Sequence, residues 1–239
     1  MFVQTKYRSH STEIMDDFQM EGALLGQTLD QLAQINKWLG GNRITIKGIQ
    51  QLFKDLPKER TLTIVDLGCG GGDLLRRIAK IARKQGRPVK LIGIDANQYT
   101  IRHAQEHSQD YPEISYLCQL IPSTNFDALD YDIVLCTLFL HHFEENALLD
   151  LLATITAKAK VGVIVNDLHR SAIAYFLFNI LTTFVSNSMI RADGLTSILR
   201  GFKRAELQQF AQTLKLNSTI RWRWAFRYQW MIFGPSFNH

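Results

Sequence analysis

Apolar positions along this chain follow two rhythms, and the changes between them lay out the elements. From Thr12 to about Leu56 the rhythm is helical. Ile14, Met15 and Phe18 follow Ser11, a candidate N-cap, and Leu25, Leu29, Leu32, Ile35 and Leu39 then mark one face. Gly40-Gly41-Asn42 interrupts, and Ile46, Ile49, Leu52, Phe53 and Leu56 mark a second helix before Pro57. Beyond it, short β-branched runs alternate with amphipathic stretches. The run from Thr61, then Val89–Asp95, Ile114–Cys118, Tyr131–Thr137 and Val161–Val165, read as buried parallel strands. The stretches after Asp73, from Gln98 to His107, from Glu144 to Lys160 and from Lys203 to Lys215 read as helices. Such alternation predicts an open α/β sheet behind a helical cap, with residues 1–56 as cap and 57–239 as the sheet domain.

Two segments depart from that regularity. Ala172 to Ile190 is strongly apolar, broken by Asn179, Thr182, Thr183 and Ser186. It falls short of the ~20 apolar residues a membrane span requires. It reads either as part of a substrate-binding insertion over about 171–201 or as a simple core helix. Ser218 to Phe233 alternates strictly: Ile220, Trp222, Trp224, Phe226, Tyr228, Trp230 and Ile232 share one parity, and Arg221, Arg223 and Arg227 the other. The period predicts two antiparallel strands with a tight turn near Ala225, at a sheet edge whose arginine face is solvated.

Composition narrows the partners. The chain has 27 basic and 22 acidic residues, a formal charge of +5, and no dense basic run of the kind that marks a nucleic-acid binder. Weak attraction to anionic lipid remains open, with residues 172–190 as the contact. Cys69, Cys118 and Cys136 lie far apart beside apolar segments, without metal-ligand spacing. They predict buried thiols in a reducing cytoplasm and no metal site. Met1 to His10 is polar and lacks the apolar core of a signal peptide.

The chemistry concentrates where the first strand ends. Asp66-Leu-Gly68-Cys69-Gly70-Gly71-Gly72-Asp73 joins a buried run to a helix. Ligands settle at the carboxyl ends of such strands, and glycine lets them lie against the backbone. A dinucleotide fingerprint needs glycine at the sixth position from Gly68. That position holds Asp73, whose charge opposes a pyrophosphate on the helix N-terminus. Asp95 closes the second strand, where a carboxylate can accept both hydroxyls of a ribose. The structural alternative is a glycine turn with no ligand.

The acidic residue followed by alternate glycines resembles motif I of the class I S-adenosylmethionine (SAM) dependent methyltransferases. Asp95 is similar to their motif II, and Thr137-Leu-Phe-Leu-His-His142 to their motif IV. The resemblance runs from about Leu62 to Phe233. It implies a Rossmann-like seven-stranded, mostly parallel sheet closed by an antiparallel hairpin, SAM as cofactor, and methyl transfer to a small acceptor. The implied cofactor residues are Arg43, Asp66, Gly68, Cys69, Gly70, Gly72, Asp95, Ala96, Gln119, Leu120, Thr137 and Leu138. Arg43 would meet the SAM carboxylate, or else is a solvated helix-end arginine. Gln119 stands where many relatives place an aspartate for the adenine. Residues Asn166–Arg170, Asp193-Gly194, Ser197 and Arg200-Gly-Phe202 look like a bacterial subgroup associated with type III polyketide or quinone-type pathways, which suits a phenolic, lipophilic acceptor and O-methylation.

A general base is required when the acceptor holds its proton, and histidine suits that role. His141, just after the fourth strand, and His169, beyond the fifth, are the candidates. Either can equally be structural. Two rival readings are an NAD-linked oxidoreductase and a non-catalytic, membrane-associated SAM-binding protein. A monomer and a homodimer are equally compatible with the sequence.

Overall fold

The structure is a computed structural model that describes residues 3–54, 56–123, 126, 128–183, 185 and 187–237. Seven strands form one sheet: β1 (Leu62–Leu67), β2 (Val89–Asp95), β3 (Ile114–Cys118), β4 (Ile133–Thr137), β5 (Gly162–Leu168), β6 (Ser218–Arg223) and β7 (Arg227–Phe233). Their order is β3-β2-β1-β4-β5-β7-β6. β1 to β5 pair in parallel, while β7 runs antiparallel between β5 and β6. The expected α/β, Rossmann-like class with a reversed hairpin is therefore the observed one.

Period-two patterning splits the core into two layers. Val65, Leu67, Val134, Val163 and Val165 face α5 (Glu145–Lys158) and α8 (Arg204–Thr213) through Leu148, Leu152, Ile155, Leu207 and Phe210. Ile64, Ile133, Leu135 and Ile164 face α2 (Gly41–Lys54) and α3 (Asp73–Gln85) through Ile46, Ile49, Leu52, Leu75 and Ile78. α4 (Gln98–Glu106) flanks β2 and β3. The second cap helix thus shares the core of the sheet.

Five expectations need correction. The first helix starts at Ala23, not Thr12: α1 spans Ala23–Trp38, and only a single 3-10 turn, Ile14–Asp16, precedes it. The caps decide this, because Glu13 accepts the role given to Ser11, and Gly22 at φ +99° breaks the path into α1. The run from Ala172 is two helices, α6 (Ala172–Thr183) and α7 (Ser188–Arg200), parted where the Asn187 side chain caps α7 through Met189 and Ile190 N–H. Phe184 and Ser186 of that run lie outside the described residues. α6 is no core helix: Ile173 and Phe176 are more than 60% exposed. No described helix is long and apolar enough to cross a membrane.

The third correction concerns the hairpin. The hairpin does form the sheet edge through β6, where Arg221 is exposed, but Arg227 on β7 is not solvated, because α2, from the far end of the chain, lies over β5 and β7. The fourth is local. β5 continues to Leu168, so Asn166 and Asp167 belong to the strand and are buried within it. Cys69 and Cys136 are buried as expected, but Cys118 is exposed because β3 is the outermost strand on its side.

Candidate active site

A cavity of about 770 Å³ opens over the carboxyl ends of β1, β2, β4 and β5. The glycine turn makes its floor. Gly68 and Cys69 N–H both donate to the Ile94 carbonyl, at 2.9 and 3.0 Å, folding the turn onto β2. Gly68 sits at φ +67°, and a Cβ there would run into the Phe139 ring. Gly72 (φ +73°) precedes α3, but a Cβ there would strike the Tyr116 hydroxyl. Gly72 is therefore needed for packing behind the turn and is not part of the cavity wall.

Carboxylates ring this floor. Asp95 accepts Gly70 N–H on one oxygen and Asn97 N–H on the other, both at 3.1 Å. Burial nevertheless pushes its pKa up. Asp66 is raised well above the carboxylate range by burial and by the charges of Asp73 and Asp95, and its Oδ1 is buried without a partner. Gln119 N–H donates to the Asp95 carbonyl at 3.0 Å, while its buried Nε2 has no partner. Ala96, Leu120, Thr137 and Leu138 complete this end of the wall. Leu138 adopts φ +54°, a strained conformation for a side-chain-bearing residue. Its N–H donates to the Asn166 carbonyl at 2.9 Å, which holds it there. Burial pushes the Cys69 thiol well up, so it is no nucleophile.

The opposite end is built around His141. Its Nδ1 lies 2.7 Å from Asp167 Oδ1, and both side chains are buried. The other Asp167 oxygen accepts Leu140 and His141 N–H, at 3.0 and 3.3 Å, so the carboxylate is fixed. His141 Nε2 has no hydrogen-bond partner and lies 3.5 Å from Glu13 Oε1, also unpartnered. Burial alone would lower the His141 pKa, but Asp167 and Glu13 outweigh it and hold it at about 9. Beside it, His142 Nδ1 meets Asp16 at 2.8 Å. Glu13, His141 and His142 bring ligand-type atoms within 4.8 Å of one another, from positions too far apart for sequence spacing to suggest a metal. Positive charge is already present there, since Arg200 lies 2.6 Å from Asp16 and 3.6 Å from Glu13.

That His141 pKa carries a stability consequence. It lies above the ordinary value of 6.5, so the group stabilises the fold fully below pH 6.5 and loses that contribution as pH rises through about 9. The span corresponds to on the order of 3 kcal/mol. Melting temperatures measured from pH 6.5 to 9 are expected to fall in the native chain and to stay flatter in His141→Gln. Parallel curves would show that the ring does not titrate in this range.

The remaining walls come from outside the sheet. Met15, Phe18 and Met20 precede α1, Leu25, Leu29 and Leu32 lie on it, and Leu177, Phe178, Leu181 and Ile198 come from α6 and α7. The segment before α1 is tied down. Arg8 donates to the His141, Phe143 and Arg200 carbonyls, and Asp193 accepts Ile14 and Met15 N–H at 2.7 and 3.0 Å.

Besides Gly72, two expected site residues lie elsewhere. Arg43 is exposed and absent from the cavity wall, because its place on α2 turns it away from the sheet while Asn42 and Ile44 turn inward. His169 sits outside the cavity, against Tyr228 and within 3.3 Å of Trp222 Nε1; β5 has by then passed the sheet end and turned toward the hairpin. Burial, Lys203 and Arg170 lower its pKa. Arg170 is consumed structurally, held by Glu206 at 2.5 Å and by the Thr5, Lys6 and Gly201 carbonyls. Three residues not singled out from the sequence as site residues, Glu13, Asn42 and Arg227, matter to the arrangement, as does Asp167 of the largely polar run Asn166–Arg170.

The span from β1 to the start of β5 carries the glycine turn, Asp95 and His141. Residues 64–162 match a family described as a methyltransferase domain. Among solved structures, the plantazolicin methyltransferase BpumL in complex with SAH superposes with a TM-score of 0.67 at 16% identity, over 87% of this chain and 90% of that one. An O-methyltransferase family protein from Burkholderia thailandensis gives 0.64 at 13% identity, over 90% of this chain and 60% of that one. The CurJ carbon methyltransferase gives 0.60 at 18%, over 81% and 54%. These likenesses are of fold. Comparison with curated proteins gives no match. Within the matched span lie the cavity floor and His141. Asp167, Glu13 and most of the apolar wall lie outside the matched span.

Proposed function

We propose that this chain is a SAM-dependent methyltransferase acting on a small, lipophilic or phenolic acceptor, with oxygen the favoured methyl-accepting atom. One observation carries the reading. A buried His–Asp pair, whose Nε2 faces Glu13 Oε1 at 3.5 Å, lies in the wall of the same cavity whose other end is a glycine turn beside Asp95.

The residues present fit the cofactor. The two Asp95 oxygens stand beside the turn, where a ribose cis-diol is recognised, and Gln119 offers a buried, unpartnered amide for the adenine side. Gly68, Cys69 and Gly70 supply open backbone, and the backbone near Thr137 would hold the ammonium group of SAM. When bound, SAM supplies an electrophilic methyl group on a sulfonium. The protein's part is to position the acceptor and to take its proton. His141 accepts that proton on Nε2 while Asp167 fixes the ring through Nδ1 and stabilises the imidazolium that forms. With a pKa of about 9, the neutral ring is the active form, so the rate is expected to climb with pH toward that value. The walls from Phe18, Leu29, Leu177, Phe178 and Ile198 exclude water and favour an apolar acceptor.

The NAD-linked alternative is disfavoured by Asp73. It stands at the head of α3, where a pyrophosphate would have to dock, and is bonded to Asn42 at 2.5 Å. Thermal melting with SAM, its demethylated product S-adenosylhomocysteine (SAH) and NAD tests this directly. SAM and SAH are expected to raise the melting temperature, and NAD to leave it unchanged. A shift with NAD alone would overturn the cofactor assignment. Incubation of phenolic acceptors with isotopically labelled SAM then reports the transfer itself by product mass.

A further inference from the structure

The cavity wall is rich in carboxylates and holds a single Lys or Arg among the described residues, Arg227. Arg227 opens β7 opposite Leu168 and is 3% exposed. Its Nη2 donates to Asn36 Oδ1 at 2.8 Å, while its Nη1 is buried with no hydrogen-bond partner. No described carboxylate lies within ion-pair distance of it. A guanidinium buried in that state is costly unless an anion completes its shell. Room has been made for it, since a Cβ on Gly41 would lie 3.0 Å from its Cζ. Gly41 opens α2, a helix of 14 residues whose positive end therefore points at the same spot. The next residue, Asn42, reaches Asp73 just beyond the glycine turn, so the guanidinium is joined to the cavity floor along the first turn of α2.

We propose that Arg227 is a carboxylate anchor, receiving a ligand carboxylate on its free Nη1 edge beside the N-terminus of α2. The chemistry is that of an amino-acid or simple organic carboxylate. Two sources can supply it: the methionine part of the cofactor, a case that rests on the reading above, or a carboxylate on the acceptor. Arg227 takes the role the sequence offered to Arg43.

Calorimetric titration of the full chain separates the cases. SAH and 5′-methylthioadenosine share the adenosine thioether, but only SAH carries the amino-acid carboxylate. If the cofactor is the source, Arg227→Met weakens SAH about 10- to 100-fold and leaves methylthioadenosine unchanged, and Arg227→Lys restores part of the loss. If the acceptor is the source, SAH affinity is unchanged. The SAH-loaded native chain then binds 4-phenylbutyrate in preference to its amide, and Arg227→Met abolishes that preference. Arg227→Lys carries the test should the Met variant fail to fold, with a smaller loss in the same arm only. Unchanged SAH affinity together with no preference for the carboxylate would overturn the anchor. Failure of the native chain to bind either adenosine ligand would sink the cofactor reading instead, and the phenylbutyrate pair would then decide on the anchor alone.

Discussion

Replacing His141 by Gln lowers the methyl-transfer rate about 10²- to 10⁴-fold, the usual contribution of a positioned general base, while SAH affinity stays near that of the native chain. Gln keeps a polar group beside Asp167, which limits the penalty of stranding a buried carboxylate. The companion variant is Asp167→Asn. Its oxygens hold the ring and the Leu140 and His141 N–H groups in place, and its charge raises the His141 pKa. Removing that charge lowers the pKa, so the inflection of the pH–rate profile moves down from about 9. A purely structural aspartate would reduce the rate without moving the inflection. A rate untouched by His141→Gln, with the fold intact, would remove the base from the mechanism and leave positioning alone.

Asp95→Ala is the second large effect, and it falls on binding. The carboxylate is already oriented by Gly70 and Asn97 N–H, so no ordering cost falls on the ligand. Two hydrogen bonds from a cis-diol to a charged group together amount to about 3 kcal/mol or more, and SAH affinity is expected to fall at least about 100-fold. Asp95→Asn, which retains an acceptor oxygen, sits between the two. Circular dichroism checks that the turn survives loss of the Gly70 contact. Calorimetry showing native affinity for SAH in folded Asp95→Ala would place the ribose elsewhere.

The centre of the sheet was legible because its strands are buried on both faces and read as continuous apolar, β-branched runs, as at Leu62–Leu67 and Ile133–Thr137. The floor of the cavity was legible because glycine is needed where Gly68 meets Phe139. What stayed hidden depends on pairings across long stretches of chain. Alternation placed Arg227 opposite the aromatic parity, but nothing in the local pattern says that a helix at residues 41–54 will cover that parity. Arg43 looked apt at a helix start, yet helical phase decides which of three adjacent residues faces inward, and it chose Asn42 and Ile44. His141 was visible as a polar residue after a strand. Its partner was not, because Asp167 is 26 positions away and meets it only through the neighbouring strand. The segment from Thr12 has helical spacing in Ile14, Met15 and Phe18, but those side chains serve a tied-down strap whose backbone bonds go to Asp193.

The strap and the α6–α7 pair have one more consequence. Both lie outside the stretch that matches the methyltransferase family, and together with α1 they supply about half of the apolar lining. On the function proposed above, acceptor choice falls largely to segments outside the matched span, apart from the glycine turn and Asp95. Grafting residues 3–38 and 172–201 from a distant homologue is then expected to change the acceptor while SAM binding persists.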